Sequence, residues 1–219
     1  MVHSRSHTIE EFLKYPASKY RYNILNKLGF DFIPGKTILD VGCGSGYNTL
    51  IFKDVYKLKS FGVDVYEHEN IKQYNINFKL GSILDLPYKT GSFDYVITQD
   101  VLHHIDETNQ SKHSHIKGLN ELRRITKKGG YIIIIEANRH NLLFYPHMVI
   151  MKGHNHFAYS YFKKLITETY KGSEIINFEA HHYGTLNFKM WDYYEAFMER
   201  FAPPQILAYS AVIYKNNSK

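Results

Sequence analysis

Ile38-Leu39-Asp40-Val41-Gly42-Cys43-Gly44-Ser45-Gly46-Tyr47-Asn48 predicts a strand, a glycine-rich turn and a helix in immediate succession. The apolar residues before the turn are typical of a buried strand. Gly42, Gly44 and Gly46 permit backbone conformations that a side chain would forbid, and they let a ligand approach the backbone closely. The first turn of the helix adds free N–H groups, which favour a negatively charged ligand group. The segment therefore predicts a ligand site at the carboxyl end of the strand.

The spacing of these glycines bears on the class of cofactor. A dinucleotide site needs the pattern G-x-G-x-x-G or G-x-G-x-x-A. Here the sixth position counted from Gly42 is the bulky Tyr47, and the third glycine comes one residue early, at Gly46. An acid, Asp40, precedes the glycines. The spacing disfavours a dinucleotide, and an ordinary glycine-rich turn is the structural alternative.

A second acid ends the next apolar segment, Phe61-Gly62-Val63-Asp64. A carboxylate about 20 residues beyond the glycines is placed to accept hydrogen bonds from both ribose hydroxyls of an adenosine. Asp64 therefore indicates an adenosine-containing cofactor without choosing among them. The alternative is that Asp64 caps the helix that follows.

Strand and helix patterns alternate along the chain. We predict strands over residues 37–41, 60–64, 78–80, 93–98, 131–136, 174–178 and 206–214, and helices over 9–28, 47–56, 114–125, 159–170 and 188–201. Both faces of 131–135 are apolar, as expected for a strand that helices cover on both sides. The order predicts an α/β fold with a doubly wound, mostly parallel seven-stranded sheet. Ligands of such a sheet bind beyond the carboxyl ends of its strands.

The length of 219 residues and the hydrophobic content of 44% fit one domain with a single core. Within this domain, 1–219, we expect residues 1–30 to form an N-terminal helical lid over the ligand site. We expect residues 36–136 to hold the cofactor, and residues 137–219 to supply the substrate side and the last strands.

The composition indicates the cellular compartment of the protein and the classes of partner that it can bind. The single cysteine, Cys43, excludes a disulfide within the chain and favours a reducing compartment, so we expect a cytoplasmic protein without a secretory signal. The apolar run 131–135 is too short to span a membrane, although 142–151 could lie on a membrane surface. The net charge of +6 and the aromatic content of 16% leave RNA open as a partner, beside an ordinary solvated surface.

Further segments carry a family resemblance. They are Gly81-Ser82-Ile83-Leu84-Asp85-Leu86-Pro87-Tyr88, the run from Gly91-Ser92-Phe93-Asp94 to Leu102-His103-His104-Ile105, and Glu121-Leu122-Arg123-Arg124-Ile125 followed by Lys128-Gly129-Gly130-Tyr131. With the glycine-rich turn, these segments resemble the type 11 family of class I S-adenosylmethionine-dependent methyltransferases over residues 37–136. The resemblance implies a Rossmann-like fold, S-adenosyl-L-methionine as the cofactor, and methyl transfer to an acceptor.

The resemblance also implies which residues contact the cofactor. These are Asp40, Gly42, Cys43, Gly44, Gly46, Asp64, Ser82, Ile83 and Gln99, to which we add Tyr20 from the predicted lid. The family usually has an acid where this chain has Ser82, and that acid binds the adenine amino group. The Ser82 hydroxyl and Asp85 are the two alternatives for this role. Gln99 falls where the family contacts the methionine end of the cofactor.

Methyl transfer is a single in-line displacement, so the protein mainly holds the acceptor close to the methyl group and excludes water. A hydroxyl acceptor also needs a base. We expect Glu136, at the end of the fifth strand, to orient the acceptor, and His154 or His156 to take its proton. His103 and His104 are expected to pack or cap. No metal site is expected, because His154 and His156 have no cysteine or carboxylate near them in the sequence.

The acceptor itself stays open at this point. The leading hypothesis is O- or N-methylation of a small molecule, such as a metabolite, a lipid or a sugar intermediate. An RNA methyltransferase is an alternative, although Thr98-Gln99-Asp100-Val101 stands where base-amino methyltransferases have an Asn/Asp-Pro-Pro-aromatic tetrad. A non-catalytic S-adenosylmethionine-binding module is the second alternative. The oligomeric state is not predicted.

Overall fold

The computed structural model describes residues 16–181 and 188–217, and seven strands and six α-helices lie in this part of the chain. The strands are β1 (Thr37–Val41), β2 (Lys59–Asp64), β3 (Phe78–Leu80), β4 (Phe93–Gln99), β5 (Thr126–Ala137), β6 (Ile175–Phe178) and β7 (Tyr209–Lys215). The α-helices are α1 (Pro16–Lys27), α2 (Tyr47–Asp54), α3 (Glu69–Gln73), α4 (Lys112–Ile125), α5 (Tyr159–Thr169) and α6 (Phe188–Phe201). Residues 1–15, half of the predicted lid, lie outside the described residues.

One sheet organises the domain. Its strand order is β3-β2-β1-β4-β5-β7-β6. The pairs among β1 to β5 are parallel, whereas β7 runs antiparallel to both β5 and β6. The order reverses at β1 and β4, which places the crevice for a ligand beyond the carboxyl ends of these two strands. The predicted doubly wound, mostly parallel seven-stranded sheet is confirmed.

The apolar side chains of the central strands alternate between two cores. Along β5, Ile133 and Ile135 belong to one buried cluster, and Ile132 and Ile134 to the other. The first cluster includes the inward faces of α1 and α2, and the second includes those of α4 and α5. Helices therefore cover both faces, as the apolar strand pattern predicted.

The sequence analysis missed four short described elements: α3, the π-helix Tyr145–Met151 and the 3₁₀ turns Leu102–His104 and Pro204–Ile206. Helix α3 has only five residues, of which Ile71 alone is buried, so it has no readable apolar period. A π-helix spans Tyr145–Met151 with no buried residue, within the segment 142–151 for which membrane contact was considered. No described helix is both long and apolar enough to cross a membrane.

A buried polar pair anchors the chain between β5 and this π-helix. The Asn141 amide group donates to a Glu179 carboxylate oxygen at 3.0 Å and to the carbonyl oxygen of Ile206 at 2.9 Å. The Asn141 side-chain oxygen accepts hydrogen bonds from the backbone N–H groups of Leu143 and Phe144. Because unpaired polar groups are costly in a dry interior, these bonds fix the path of the segment that lies beyond the carboxyl end of β5.

Candidate active site

The glycine-rich turn adopts the left-handed backbone that favours glycine. The φ angle is 74° at Gly42, 51° at Gly44 and 80° at Gly46. A Cβ atom added to Gly42 would lie 2.2 Å from Val101, and one added to Gly46 would lie 2.2 Å from Ile76. At Gly44 the nearest described atom beyond its chain neighbours would be 3.9 Å away. Gly44 therefore faces open space, whereas the other two glycines face protein.

That open space is a cavity of about 610 Å³, which we call the cofactor cavity. Seven of the expected cofactor contacts line it: Gly42, Cys43, Gly44, Asp64, Ser82, Ile83 and Gln99. The cavity lies at the carboxyl ends of β1, β2 and β4, where an open α/β sheet binds its ligand. Its wall also includes five ionisable side chains that were not expected to contact the cofactor: Arg21, Tyr66, Asp100, His104 and Asp106.

Three expected contacts, Asp40, Gly46 and Tyr20, do not line this cavity. Asp40 is buried, and its carboxylate accepts a hydrogen bond from the Thr49 hydroxyl at 2.7 Å. Burial raises the pKa of Asp40 to about 6, against the opposing effect of this hydrogen bond. Gly46 faces Ile76, and Tyr20 lines a second cavity. Asp40 and Gly46 therefore support the turn from within the protein.

Asp64 lies on the wall of the cofactor cavity and does not cap the helix that follows, whose N-cap is His68. One carboxylate oxygen accepts a hydrogen bond from the backbone N–H of Gly44 at 2.8 Å, and the other accepts one from Val65 at 2.7 Å. A carboxylate has about four acceptor positions, so both oxygens can accept further hydrogen bonds. Asp64 thus fixes the turn from β2 while it faces the cofactor cavity.

One acid on the wall of the cofactor cavity comes from an unexpected segment. The Ser82 hydroxyl lines the cavity and accepts a hydrogen bond from the backbone N–H of Leu84 at 3.2 Å. Asp85 is exposed and lies off the wall, whereas Asp106 lies on it with a φ angle of 54°. Sequence reasoning missed Asp106, because it follows the histidine pair in a loop that has no periodicity.

The wall of the cofactor cavity also carries a cation and an amide. Arg21 reaches it from α1, and a guanidinium is well suited to bind a carboxylate. The Gln99 side-chain oxygen accepts a hydrogen bond from Asn48 at 3.0 Å, and its NH₂ group donates to Asp100 at 3.3 Å. Sequence reasoning selected Tyr20 from this helix and missed Arg21, because periodicity alone did not show which face turns toward the ligand.

A second cavity, of about 360 Å³, adjoins the first, and we call it the acceptor cavity. Its wall consists of Tyr20, Asp100, His103, His104, Ala137, Phe144, His147, Met148, His154, His156 and Tyr209. Asp100 and His104 line both cavities. The Tyr20 and Tyr209 hydroxyls lie 2.6 Å apart in a hydrogen bond, which joins α1 to β7 across this wall.

Asp100 lies at the junction of the cavities in a strained conformation. Its φ angle is 56°, and such conformations persist where the surrounding structure holds them. One carboxylate oxygen accepts a hydrogen bond from the backbone N–H of Ala137 at 2.9 Å. Burial raises the pKa of Asp100, and the nearby Glu136 raises it further.

Glu136 is buried behind the acceptor cavity and does not line either cavity described above. One of its oxygens accepts hydrogen bonds from the backbone N–H groups of Val101 and Leu102, at 3.1 and 2.7 Å. The other lies 2.7 Å from Nδ1 of His103. Burial raises the pKa of Glu136 to about 7 and lowers the pKa of His103 to about 4. The expected contact between Glu136 and an acceptor is corrected: Glu136 positions His103 and the turn around it.

The two histidines that were expected to pack or cap, His103 and His104, also line the acceptor cavity. His103 and His104 lie on the 3₁₀ turn Leu102–His104 that follows β4, and Nδ1 of His104 lies 3.2 Å from a Glu107 carboxylate oxygen. His154 and His156 reach the same wall, and the ring of His156 is 4.3 Å from that of His103. Burial lowers the pKa of His156 to about 3. Histidines that are far apart in the sequence thus meet at one wall.

The comparisons with known proteins agree with this geometry. A family model described as a methyltransferase domain matches residues 39–134. An uncharacterized methyltransferase of Schizosaccharomyces pombe is 36% identical over 125 residues, which are 50% of this chain and 42% of that protein. Norajmaline N-methyltransferase of Rauvolfia serpentina is 27% identical over 118 residues, 49% of this chain and 38% of that enzyme. The chain thus spans about two fifths of the length of these relatives.

A solved structure extends the likeness to the whole fold. Phosphoethanolamine N-methyltransferase 2 of Haemonchus contortus, in complex with S-adenosyl-L-methionine, matches 98% of this chain and 58% of its own, with a TM-score of 0.62 and 15% identity. In the present chain, the open space at Gly44, the carboxylate of Asp64 and the guanidinium of Arg21 suit a ligand that carries both a ribose and a carboxylate. Residues 39–134 of the chain are thus similar to a methyltransferase domain, and the fold is that of an enzyme solved with S-adenosyl-L-methionine bound.

Proposed function

We propose that this protein transfers the methyl group of S-adenosylmethionine to a small-molecule acceptor bound in the acceptor cavity. The observation that carries the proposal is that Asp100 and His104 line both cavities. A methyl group transferred at this junction passes directly from one cavity to the other. When bound, the cofactor supplies an electrophilic methyl group, and the protein aligns the acceptor with it and excludes water.

Charged side chains on the wall of the cofactor cavity support one orientation of the cofactor. We propose that Asp64 binds the ribose hydroxyls and that Arg21 binds the methionine carboxylate. At the adenine end, Asp106 replaces the acid that the family carries at the position of Ser82, and the backbone of Ile83 contacts the ring. In this orientation the sulfur faces the junction at Asp100.

The size and lining of the acceptor cavity favour a small acceptor over a folded RNA. A cavity of about 360 Å³ has the size of a site for one small molecule. Its aromatic and imidazole side chains suit an acceptor with an apolar body and one reactive heteroatom. The relative from Rauvolfia serpentina, named norajmaline N-methyltransferase, supports an acceptor of this size. The reacting atom is a hydroxyl oxygen or an amine nitrogen.

We propose that His104 takes the proton of the acceptor. It lies at the junction, and Nδ1 of its ring is oriented by Glu107. A histidine oriented by a carboxylate on one nitrogen keeps its other nitrogen free to accept a proton, which is the usual geometry of a general base. His154 and His156 were expected in this role, but no carboxylate contact orients either ring among the described residues. His154 instead shapes the wall against which the acceptor packs.

The first prediction distinguishes an effect of Gly44 on cofactor binding from an effect on the stability of the turn. Gly44→Ala places a methyl group in the space through which the cofactor approaches the protein backbone. We therefore expect the affinity for S-adenosylhomocysteine to fall at least about tenfold, or about 1.4 kcal/mol. Gly35→Ala is the matched control, because Gly35 also has a positive φ angle and no described atom within 4 Å of an added Cβ. Both variants should lose similar thermal stability. Equal calorimetric affinities for the two variants would contradict the assignment of the cavity.

The second prediction concerns the acceptor class. Methyl-labelled S-adenosylmethionine is incubated with the protein and a cell extract separated into metabolite, lipid, RNA and protein fractions. We expect the label in the metabolite or lipid fraction, because the acceptor cavity accommodates one small molecule. Label confined to RNA would replace the proposal with the RNA methyltransferase alternative. Cofactor binding without transfer to any fraction would favour the non-catalytic module.

The third prediction tests the base with the acceptor found in that experiment. His104→Asn should lower kcat about 10²- to 10⁴-fold for a hydroxyl acceptor, while the affinity for S-adenosylhomocysteine changes little. His113→Asn is the matched control, because His113 is exposed on α4 and lies off both cavities. If His104→Asn keeps the wild-type kcat and His154→Asn loses it, the sequence-based assignment of the base is correct and ours is wrong.

A further inference from the structure

Three side chains from separate segments converge on one wall of the acceptor cavity. They are Asp100, which follows β4, His103 in the 3₁₀ turn, and His156 in the loop before α5. One ligand atom from each lies within 4.8 Å of the other two. Two imidazoles and a carboxylate are typical of zinc and non-haem iron sites. No sequence pattern indicates this cluster, because His156 is far along the chain from the other two residues.

The second observation is that ring nitrogens of these two histidines are buried without a hydrogen-bond partner in the described part of the chain. Nε2 of His103 and both ring nitrogens of His156 are buried, and within the described part of the chain they have no hydrogen-bond partner. His103 is 0% exposed and His156 is 5% exposed. Buried polar groups in proteins nearly always have a partner, and leaving one without a partner costs about 1–3 kcal/mol. A ligand between these rings removes that cost.

The hydrogen bond between His103 and Glu136 is also typical of a metal site. Glu136 accepts the hydrogen bond from Nδ1 of His103 and is itself held by two backbone N–H groups. With Nδ1 as the donor, Nε2 carries the lone pair. Histidines that bind metals commonly donate their other nitrogen to a carboxylate in this way, which fixes the ring orientation and strengthens the ligand. The surroundings of His103 are those of a metal ligand.

We propose that Asp100, His103 and His156 bind one divalent transition-metal ion of the zinc type, with an open coordination position toward the acceptor cavity. Zinc bonds of about 2.0–2.1 Å place tetrahedral ligand atoms roughly 3.4 Å apart, so ligand atoms that lie within 4.8 Å of one another need only small side-chain movements to bind one ion. With three protein ligands, the fourth position of a tetrahedral site faces the cavity. The expectation of no metal site is thereby revised.

The proposed ion restricts the chemical class of the acceptor that can bind. An ion at this position binds an oxygen or nitrogen donor of the acceptor beside the junction at Asp100, and so selects acceptors that carry a hydroxyl, carboxylate or similar donor. This selectivity rests on the proposed methyl transfer. The ion site itself rests only on the described side chains and does not depend on that function.

Metal binding can be measured without any acceptor. The untagged full chain is freed of metal with a chelator and titrated with Co²⁺, whose visible absorption reports tetrahedral coordination, and bound Co²⁺ is then displaced with Zn²⁺. We expect one equivalent to bind. His156→Asn and His103→Asn should each weaken Co²⁺ binding at least tenfold. Glu136→Gln removes the carboxylate that supports His103 but keeps one oxygen for the backbone N–H groups of Val101 and Leu102, and it should weaken binding about 10- to 100-fold. His113→Asn, the exposed control, should bind like the wild type.

Affinity for S-adenosylhomocysteine, measured on the same samples, verifies that each variant is folded. Loss of Co²⁺ binding in His156→Asn with retained S-adenosylhomocysteine binding supports the site. A wild type that binds no Co²⁺, or a His103→Asn/His156→Asn double variant that binds it as tightly as the wild type, overturns it. If Co²⁺ binds as expected but S-adenosylhomocysteine does not bind to the wild type, the proposed methyl transfer fails and the metal site stands.

Discussion

The hydrogen bonds from the backbone at Val101 and Leu102 to the carboxylate of Glu136 hold the wall between the two cavities. Glu136 lies at the carboxyl end of β5, while the residues it holds begin the turn after β4, so the bonds join the carboxyl ends of two neighbouring strands. Asp100 makes the reciprocal bond to the backbone of Ala137. These crossed bonds fix the strained backbone at Asp100 and place His103 and His104 at the cavity walls. Asp64 makes the equivalent connection between β2 and the glycine-rich turn after β1.

Three buried acids also have an electrostatic role. Asp40, Asp100 and Glu136 lie within or beneath the site, and burial raises the pKa of each. The sulfonium of S-adenosylmethionine is positively charged, so carboxylates beneath the junction favour its binding when they are ionised. A bound cation in turn favours their ionised forms. In the proposed reaction, transfer of the methyl group removes the positive charge, so this attraction is lost in the product.

The fold and half of the site were predictable because they depend on local patterns. The apolar run at 131–135 predicted a strand with both faces covered, and the spacing from Gly42 to Gly46 by itself disfavoured a dinucleotide. The acceptor cavity was not predictable in the same way. Its histidines come from the turn after β4 and from the loop before α5, and only tertiary packing brings His103 and His156 together. Tyr20 and Arg21 are adjacent in α1 yet line different cavities, because adjacent helical residues point about 100° apart.

A structure determined with bound S-adenosylhomocysteine tests the central claim most directly, since that claim is that the two cavities meet at Asp100 and His104. The account predicts that the ribose contacts Asp64, that the amino-acid carboxylate contacts Arg21, and that the sulfur atom is directed at the junction with the acceptor cavity. A sulfur atom that faces solvent, or an adenosine bound away from Asp64, would contradict it.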